Sequence, residues 1–293
     1  FVYFTGEPCR LYHAHVIDQV ELLVVDNNPA GPHGRMVRDF IEGKLSRDVT
    51  ARYVPMPDVV GTSSPRNRVF AEASGDAVLC IDCHVLLAPG SVRRLIDYYD
   101  HHSETRDLLS GPMLYDDLGN FCTHFDDVWR SEMWGIWGSD ERGRDPDAEP
   151  FEIPAMGLGL FTCRKAAWLG FNEHFRGFGG EEFYVHEKFR QAGAKCLCLP
   201  FLRWGHRFGR PSGVRYPLSR FNKVRNYVLG HQELGLPLDR VKEHFVDAGL
   251  MPEAEWESIV ADPVNAGVSQ KAESCGSCGS KQAATETRTL DEL

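Results

Sequence analysis

The 293-residue chain has no apolar stretch that approaches 18 residues, which argues against a transmembrane helix. It begins with Phe1 instead of Met, and no secretory signal peptide is recognised at that end. Positive charge is also scarce, with 32 Lys and Arg against 42 Asp and Glu and a net charge of −10. This balance weighs against broad binding to a nucleic-acid backbone, although a local basic groove stays open.

Cysteine is present in an odd number, nine, and no regular disulfide pattern emerges. Several cysteines lie inside apolar runs and are predicted to be buried small hydrophobic residues: Cys80, Cys163, Cys196 and Cys198. The sequence therefore predicts a reducing, cytoplasmic location.

Strand-like and helix-like segments alternate in the first hundred residues. Strands are predicted at 21–26, 51–54 and 76–82, and helices at 36–45, 63–74 and 89–99. This alternation predicts an α/β fold with a mostly parallel central sheet and helices on both faces. Residues 115–150, with Trp129, Trp134 and Trp137, are interpreted as an extended, partly ordered substrate loop. Its tryptophans either stack on an acceptor or form a small core of their own.

One apolar strand ends in a pair of metal-ligand side chains. Residues 77–81 are followed by Asp82, Cys83 and His84. In an extended segment alternate side chains point the same way, so Asp82 and His84 are expected to reach one ion together. Open α/β sheets bind ligands outside the carboxyl ends of their strands, which predicts a metal site there.

Four segments in chain order carry a family resemblance: residues 64–76 (SPRNRVFAEASGD), 82–84 (DCH), 154–161 with 171–182 (PAMGLGLF and FNEHFRGFGGEE), and 202–208 (LRWGHRF). Together they resemble nucleotide-sugar glycosyltransferases of the GT-A fold, above all the polypeptide N-acetylgalactosaminyltransferases and bacterial or phage relatives of family two. The resemblance covers residues 1–230. Phe178 replaces the tryptophan of the family's turn, Glu182 its asparagine and Leu158 a glycine.

The resemblance implies a GT-A domain, and the loss of apolar content from about residue 262 predicts that it ends at residue 261, with a nucleotide-binding half at 1–110 and an acceptor and lid half at 111–261. A flexible tail is predicted at 262–293. It further implies that Asp82, His84 and His206 bind a divalent cation, and mixed carboxylate and imidazole ligands favour Mn²⁺ over Mg²⁺. Donor-binding residues are also implied: Thr5, Asp26, Arg66, Asp82, Gly159, Arg207 and Tyr216.

Glu181 and Glu182 follow two glycines and are the expected catalytic carboxylates. In inverting relatives an acidic residue here is the general base on the acceptor hydroxyl, and in retaining relatives the matching Glu contacts the donor sugar. Their place at the start of a helix also suits a purely structural role. Asp26 can equally start a turn, and Arg66 can be a solvated helix charge.

The predicted function is a metal-dependent hexosyl- or N-acetylhexosaminyltransferase. It moves a sugar from a UDP-sugar to a hydroxyl of a protein side chain or glycan, with retention favoured over inversion. The acidic net charge weighs against a nucleic-acid acceptor. The alternative is a non-catalytic module of the same fold that binds a nucleotide sugar or a glycan, suggested by the replacements Phe178 and Glu182.

Overall fold

The structure of the chain is a computed structural model, which describes residues 17–43, 49–57, 61–115, 117, 119–208 and 218–266. Within these ranges the strands are β1 (Glu21–Asp26), β2 (Thr50–Pro55), β3 (Ala77–Ile81), β4 (Val85–Leu87), β5 (Leu108–Ser110), β6 (Met113–Leu114), β7 (Phe121–Cys122), β8 (His124–Arg130), β9 (Met133–Gly138), β10 (Phe151–Glu152), β11 (Leu160–Arg164), β12 (Cys196–Cys198) and β13 (Trp204–His206). The strand predicted at residues 2–5 lies outside the described residues.

The α-helices of the described residues are α1 (Gly34–Gly43), α2 (Ser63–Glu72), α3 (Ser91–His101), α4 (Glu181–Gln191), α5 (Arg220–Glu233), α6 (Asp239–Lys242) and α7 (Glu253–Ala261). A π-helical turn, Glu243–Asp247, continues α6, and single 3-10 turns occur at Ile17–Gln19, Glu141–Arg144 and Lys165–Ala167. None of the helices described has both the length and the apolar character needed to cross a bilayer.

The central sheet has five strands in the order β10-β12-β5-β11-β3. In this sheet β12 and β5 are parallel, whereas β11 runs antiparallel to β5 and β3, and β10 antiparallel to β12. A second sheet, β4-β13-β6-β7, lies beside the ends of β3 and β5, and β1 pairs in parallel with β2. The predicted α/β fold is confirmed, with a central sheet of mixed strand direction.

The main hydrophobic core is built from the central sheet and helices α3 and α4. It includes Leu109 of β5, Phe161 of β11 and Phe189 of α4, none of which is more than 1% exposed. The four cysteines predicted to be buried, Cys80, Cys163, Cys196 and Cys198, all lie in this core as free thiols, so that prediction is confirmed.

The interpretation of residues 115–150 as an irregular loop is wrong, because β8 and β9 form an antiparallel hairpin there. A register shift between Asp126 and Trp129 interrupts the alternation by which a strand is recognised in sequence. Trp134 is buried, Trp129 stacks on His244 at 4.6 Å, and Trp137 meets Phe125 edge to face. The tryptophans therefore form a core between the hairpin and the C-terminal helices.

Contacts of the folded domain continue past the predicted boundary at residue 261. Arg176 donates hydrogen bonds to the carbonyls of Val264 (2.9 Å) and Ala266 (3.1 Å). Arg225 donates to the same Val264 carbonyl at 3.0 Å, and the Ala266 side chain is buried. Residues 262–266 are thus part of the folded domain, held by backbone carbonyls that composition does not reveal.

Truncation of a core side chain should cost far more than truncation of an exposed one. Leu109→Ala removes a fully buried side chain from β5, and we expect it to lower the free energy of unfolding by about 2–5 kcal/mol. Met36→Ala, at a side chain that is 48% exposed on α1, should change it by about 0.5 kcal/mol or less. Chemical denaturation of both variants checks this, and equal effects would contradict the core assignment.

Candidate active site and metal centre

The residues Asp82, Cys83 and His84 form a turn between β3 and β4, not the extended segment expected from the sequence. The amide of Val85 donates to the carbonyl of Asp82 at 3.1 Å and closes this turn. The amide of Asp82 donates to the carbonyl of Gly159 at 2.9 Å, which fixes the start of the turn against the approach to β11. The turn brings Asp82 and His84 together by reversing the chain.

His206 reaches the same turn through strand pairing. Its strand, β13, pairs antiparallel with β4, and His206 lies opposite Val85, the residue that follows His84. The amide of Arg207 then donates to the carbonyl of His84 at 3.3 Å. This pairing joins two residues that are 122 positions apart in the chain.

Three side-chain ligand atoms converge at this point. One atom each from Asp82, His84 and His206 lie within 4.8 Å of one another. The Nε2 atoms of His84 and His206 are 3.0 Å apart, and Oδ2 of Asp82 is 4.0 Å from Nε2 of His84. Two imidazole nitrogens bound to one ion at about 2.1 Å and at right angles lie about 3.0 Å apart, so the pair fits a shared cation.

Arg66 of α2 forms an ion pair with Asp82. It is 7% exposed, and its Nη2 donates to Oδ1 of Asp82 and to the carbonyl of Leu158, both at 3.1 Å. Burial works to lower its pKa, but the negative charges around it, Asp82 first, raise the pKa overall. The second terminal nitrogen, Nη1, is buried and has no hydrogen-bond partner among the described residues. Arg66 is therefore a buried positive charge, not the solvated helix charge that the sequence left open.

Gly159 lies directly against two of the candidate ligands. A Cβ atom on Gly159 would stand 2.8 Å from the indole of Trp204 and 3.2 Å from Cδ2 of His206. No side chain fits here without moving the third ligand. The structure thus places Gly159 beside the triad as backbone support for Asp82.

Glu181 is held entirely inside the protein. It is 0% exposed, and its Oε1 accepts a hydrogen bond from the hydroxyl of Thr62 at 2.5 Å. Its Oε2 accepts the amide of Gly179 at 2.6 Å. The N-cap residue of α2, Thr62, makes no side-chain cap hydrogen bond and donates to Glu181 instead. Both oxygens of Glu181 therefore tie the glycine turn to α2.

Glu182 differs from its neighbour. It is 8% exposed, and its carboxylate accepts a hydrogen bond from its own backbone amide. Burial, followed by the charge of Glu181, raises its pKa above the ordinary value of 4.5, while Arg66 opposes the shift. Of the two predicted catalytic carboxylates, Glu181 uses both oxygens in bonds to Thr62 and Gly179, whereas Glu182 keeps an oxygen that a ligand can contact.

His186 joins the helix that carries Glu182 to the segment before Gly159. Its Nε2 accepts the amide of Met156 at 3.1 Å, so its Nδ1 carries the proton and donates to the carbonyl of Glu182 at 2.6 Å. Burial lowers its pKa to about 4, which keeps the ring neutral in this role.

Asp26 ends β1, as predicted, and its carboxylate accepts two internal hydrogen bonds. The hydroxyl of Tyr53 donates to Oδ2 at 2.6 Å, and the amide of Asn28 donates to Oδ1 at 2.8 Å. Burial, followed by the hydrogen bond to and the charge of Asp26, raises the pKa of the Tyr53 hydroxyl to about 12, whereas Arg38 works to lower it. The turn-starting role is therefore present, and no contact among the described residues joins Asp26 to the triad.

The remaining predicted donor contacts are not brought together here. Arg207 is exposed and approaches the triad through its backbone amide. Thr5 and Tyr216 lie outside the described residues. Sequence reasoning missed Thr62 and also Asn226, a polar side chain in a helix whose neighbours Val224 and Tyr227 are buried. A polar residue among apolar ones on a helix was the sequence signal that could have indicated a buried polar contact at Asn226.

The family model of glycosyl transferase family 2 matches residues 12–162, or 151 of the 293 residues. The chain therefore belongs to this glycosyltransferase family. The match includes Asp82 and His84 but ends before Glu181 and His206. A search of curated protein sequences finds no match.

Solved structures resemble the whole domain. Crystalline GalNAc-T7 with UDP, GalNAc and Mn²⁺ aligns with a TM-score of 0.60 at 16% identity over 86% of this chain and 51% of that chain. This chain thus spans about half the length of that relative, and the likeness shows the GT-A fold. The mannosyltransferase PcManGT from Pyrobaculum calidifontis, with GDP-Man and Mn²⁺, aligns at 15% identity and a TM-score of 0.48 over 87% of this chain and 71% of that chain. S. aureus TarS 1-349 with UDP-GlcNAc aligns at 14% identity and a TM-score of 0.48 over 88% of this chain and 77% of that chain.

Removal of either imidazole should weaken metal binding. We expect His84→Ala and His206→Ala each to reduce Mn²⁺ affinity at least about tenfold, since ligand geometry and number set the affinity. Titration calorimetry with Mn²⁺ measures this, with His101→Ala on the exposed face of α3 as the matched control. Unchanged affinity in both site variants would refute the ligand set.

The raised pKa of Glu182 predicts a pH effect on stability. The pKa of Glu182 in the folded state lies above its value in the unfolded state. Its contribution to the free energy of unfolding is therefore fully present below pH 4.5 and is lost as the pH rises through the folded-state pKa. Glu182→Gln removes that loss. In the presence of EDTA, the variant should therefore gain stability relative to the wild type between pH 5 and pH 8, as measured by urea denaturation. A constant difference across this range would contradict the assignment.

Proposed function

We propose that the chain is a metal-dependent glycosyltransferase that moves a sugar from a UDP-sugar to an acceptor hydroxyl. The observation that carries the proposal is the convergence of Asp82, His84 and His206, whose ligand atoms lie within 4.8 Å of one another. Membership of glycosyl transferase family 2 and the GT-A fold support it. We infer Mn²⁺ as the cation from the mixed ligands, and GalNAc-T7 was solved with the same ion.

The three proposed ligands and Arg66 have different roles at the donor diphosphate. A bound divalent cation neutralises the negative charge that gathers on a departing diphosphate, an effect worth several kcal/mol. Asp82 can offer Oδ2 to the cation because Arg66 holds Oδ1. The buried guanidinium of Arg66 adds a fixed positive charge behind the ligands, and its unused Nη1 can donate a further hydrogen bond.

Glu182 is the proposed catalytic carboxylate, and Glu181 is proposed to hold the turn. We propose transfer with retention, in which Glu182 contacts the donor sugar and stabilises positive charge at the anomeric carbon. The resemblance of residues 82–84 and 202–208 to the polypeptide N-acetylgalactosaminyltransferases supports this choice. With inversion, Glu182 would instead take the proton of the acceptor hydroxyl.

The donor is proposed to be a UDP-linked hexose or N-acetylhexosamine, and the acceptor a hydroxyl of a protein side chain or a glycan. Residues 1–110 are proposed to bind the nucleotide and 111–261 the acceptor. The net charge of −10 disfavours a nucleic-acid acceptor. Free, buried cysteines such as Cys80 and Cys163 suit a reducing compartment, so a cytoplasmic location is part of the proposal.

A second candidate is a binding module of the same fold without turnover. The observation that favours it is that both carboxylate oxygens of Glu181 are used inside the protein. The family resemblance matches Glu181 to the Glu that contacts the donor in retaining relatives. Such a module would bind UDP or sugar but release no nucleoside diphosphate. The two candidates therefore differ in a single measurement.

The test uses purified protein with Mn²⁺ and a panel of UDP-sugars, with UDP release followed over time. We expect slow, EDTA-sensitive hydrolysis without acceptor, and Glu182→Gln should lower turnover by at least about 100-fold. The matched control is Glu187→Gln, on the same helix, where the carboxylate pairs with Arg190 at 3.0 Å.

Each outcome decides between the candidates. UDP binding without release across the whole panel would favour the binding module, and neither binding nor release would refute both. The anomeric configuration of the transfer product, read by proton NMR, tests retention. An inverted product would contradict retention and assign the general-base role to Glu182.

A further inference from the structure

The turn that leads into α4 has little in its own sequence to hold it. Gly179 and Gly180 have φ values of +111° and +94°, a region that L side chains rarely adopt. Gly180 is the N-cap of α4, and having no side chain it makes no cap hydrogen bond. Besides the local bond from Gly179 to Glu181, contacts from elsewhere in the chain therefore help to set the position of Glu182, two residues further on.

Asn226 of α5 supplies such contacts. It is 0% exposed, and its Nδ2 donates to the carbonyls of Arg176 and Gly179, both at 2.9 Å. Its Oδ1 accepts the amide of Arg176 at 3.0 Å. Both N–H donors of the Asn226 amide are used. They join Arg176, at the start of the turn, to Gly179, the residue just before the N-cap of α4.

The contact is close as well as polar. A Cβ atom built on Gly180 would lie 3.3 Å from Cβ of Asn226, so the turn backbone packs directly on α5. The amide of Gly179, on the other side of the same residue, donates to Glu181. Gly179 is thus bonded through its carbonyl to α5 and through its amide to the start of α4.

We propose that Asn226 is a positioning residue that sets the orientation of Glu182 through the glycine turn. The inference rests on the proposed function, in which Glu182 meets the substrate. Asn226 touches only the backbone of the turn, so it acts through that backbone and not on the donor or the cation.

The test is Asn226→Asp, which keeps the side-chain shape and one acceptor but removes both N–H donors. We expect kcat for UDP-sugar hydrolysis to fall by about 10–100-fold, since a misplacement of about 1 Å has an effect of this size. The Kd for UDP with Mn²⁺, measured by calorimetry, should change by less than about twofold, because the triad is untouched.

Tyr99→Phe is the matched control, because it removes a buried hydrogen bond of 2.8 Å to Thr162 in the central sheet. It should lower the urea midpoint of unfolding and leave kcat unchanged. All variants are assayed at a temperature where thermal melts show them to be folded. If the Asp variant does not fold, Asn226→Ala removes the same bonds without adding a charge and takes its place.

A double-mutant cycle separates positioning from a general structural effect. If Asn226 acts through Glu182, adding Asn226→Asp to Glu182→Gln should lower kcat by less than about twofold further. Equal fold-losses in the two backgrounds, or an unchanged kcat in the single variant, would overturn the inference. A wild-type level of turnover in Glu182→Gln, or no turnover in the wild type, would instead overturn the proposed function together with it.

Discussion

The antiparallel pairing of β4 with β13 is the constraint on which the site depends. It sets His206 opposite Val85 and so next to His84, although the two imidazoles belong to segments far apart in the chain. The turn at Asp82 supplies the third ligand, and its amide is held by the carbonyl of Gly159. A change in register by one residue would turn His206 to the other face of its sheet and move it away from Asp82 and His84.

Charge explains why the surrounding groups are arranged as they are. Arg66 is buried beside Asp82, and both Glu181 and Glu182 contribute to its electrostatic environment. Three carboxylates against one guanidinium leave an excess of negative charge in a poorly solvated region, which is costly unless it is compensated. Internal hydrogen bonds satisfy Glu181, and a raised pKa relieves part of the cost at Glu182. A divalent cation at the triad would offset much of the rest.

The local patterns in the sequence predicted more of the fold than of the site. Strand β1 and helix α2 follow from apolar periodicity and turn residues, and the three ligands follow from a family resemblance. Residues 82–84 are predicted to be extended but form a turn, because two ligands separated by a single residue fit either geometry. The hairpin around Trp129 was missed because a bulge breaks its alternation. The bond from Thr62 to Glu181 spans 119 positions, and no local pattern encodes it.

Two imidazoles and one carboxylate are proposed to bind the same cation. Pulsed electron paramagnetic resonance of the protein with Mn²⁺ and UDP tests this proposal most directly, because couplings to directly bound imidazole nitrogens are resolved. Two histidine nitrogen couplings are expected in the wild type and one in each single-histidine variant. A spectrum with phosphorus and water couplings but no histidine nitrogen would contradict the proposal.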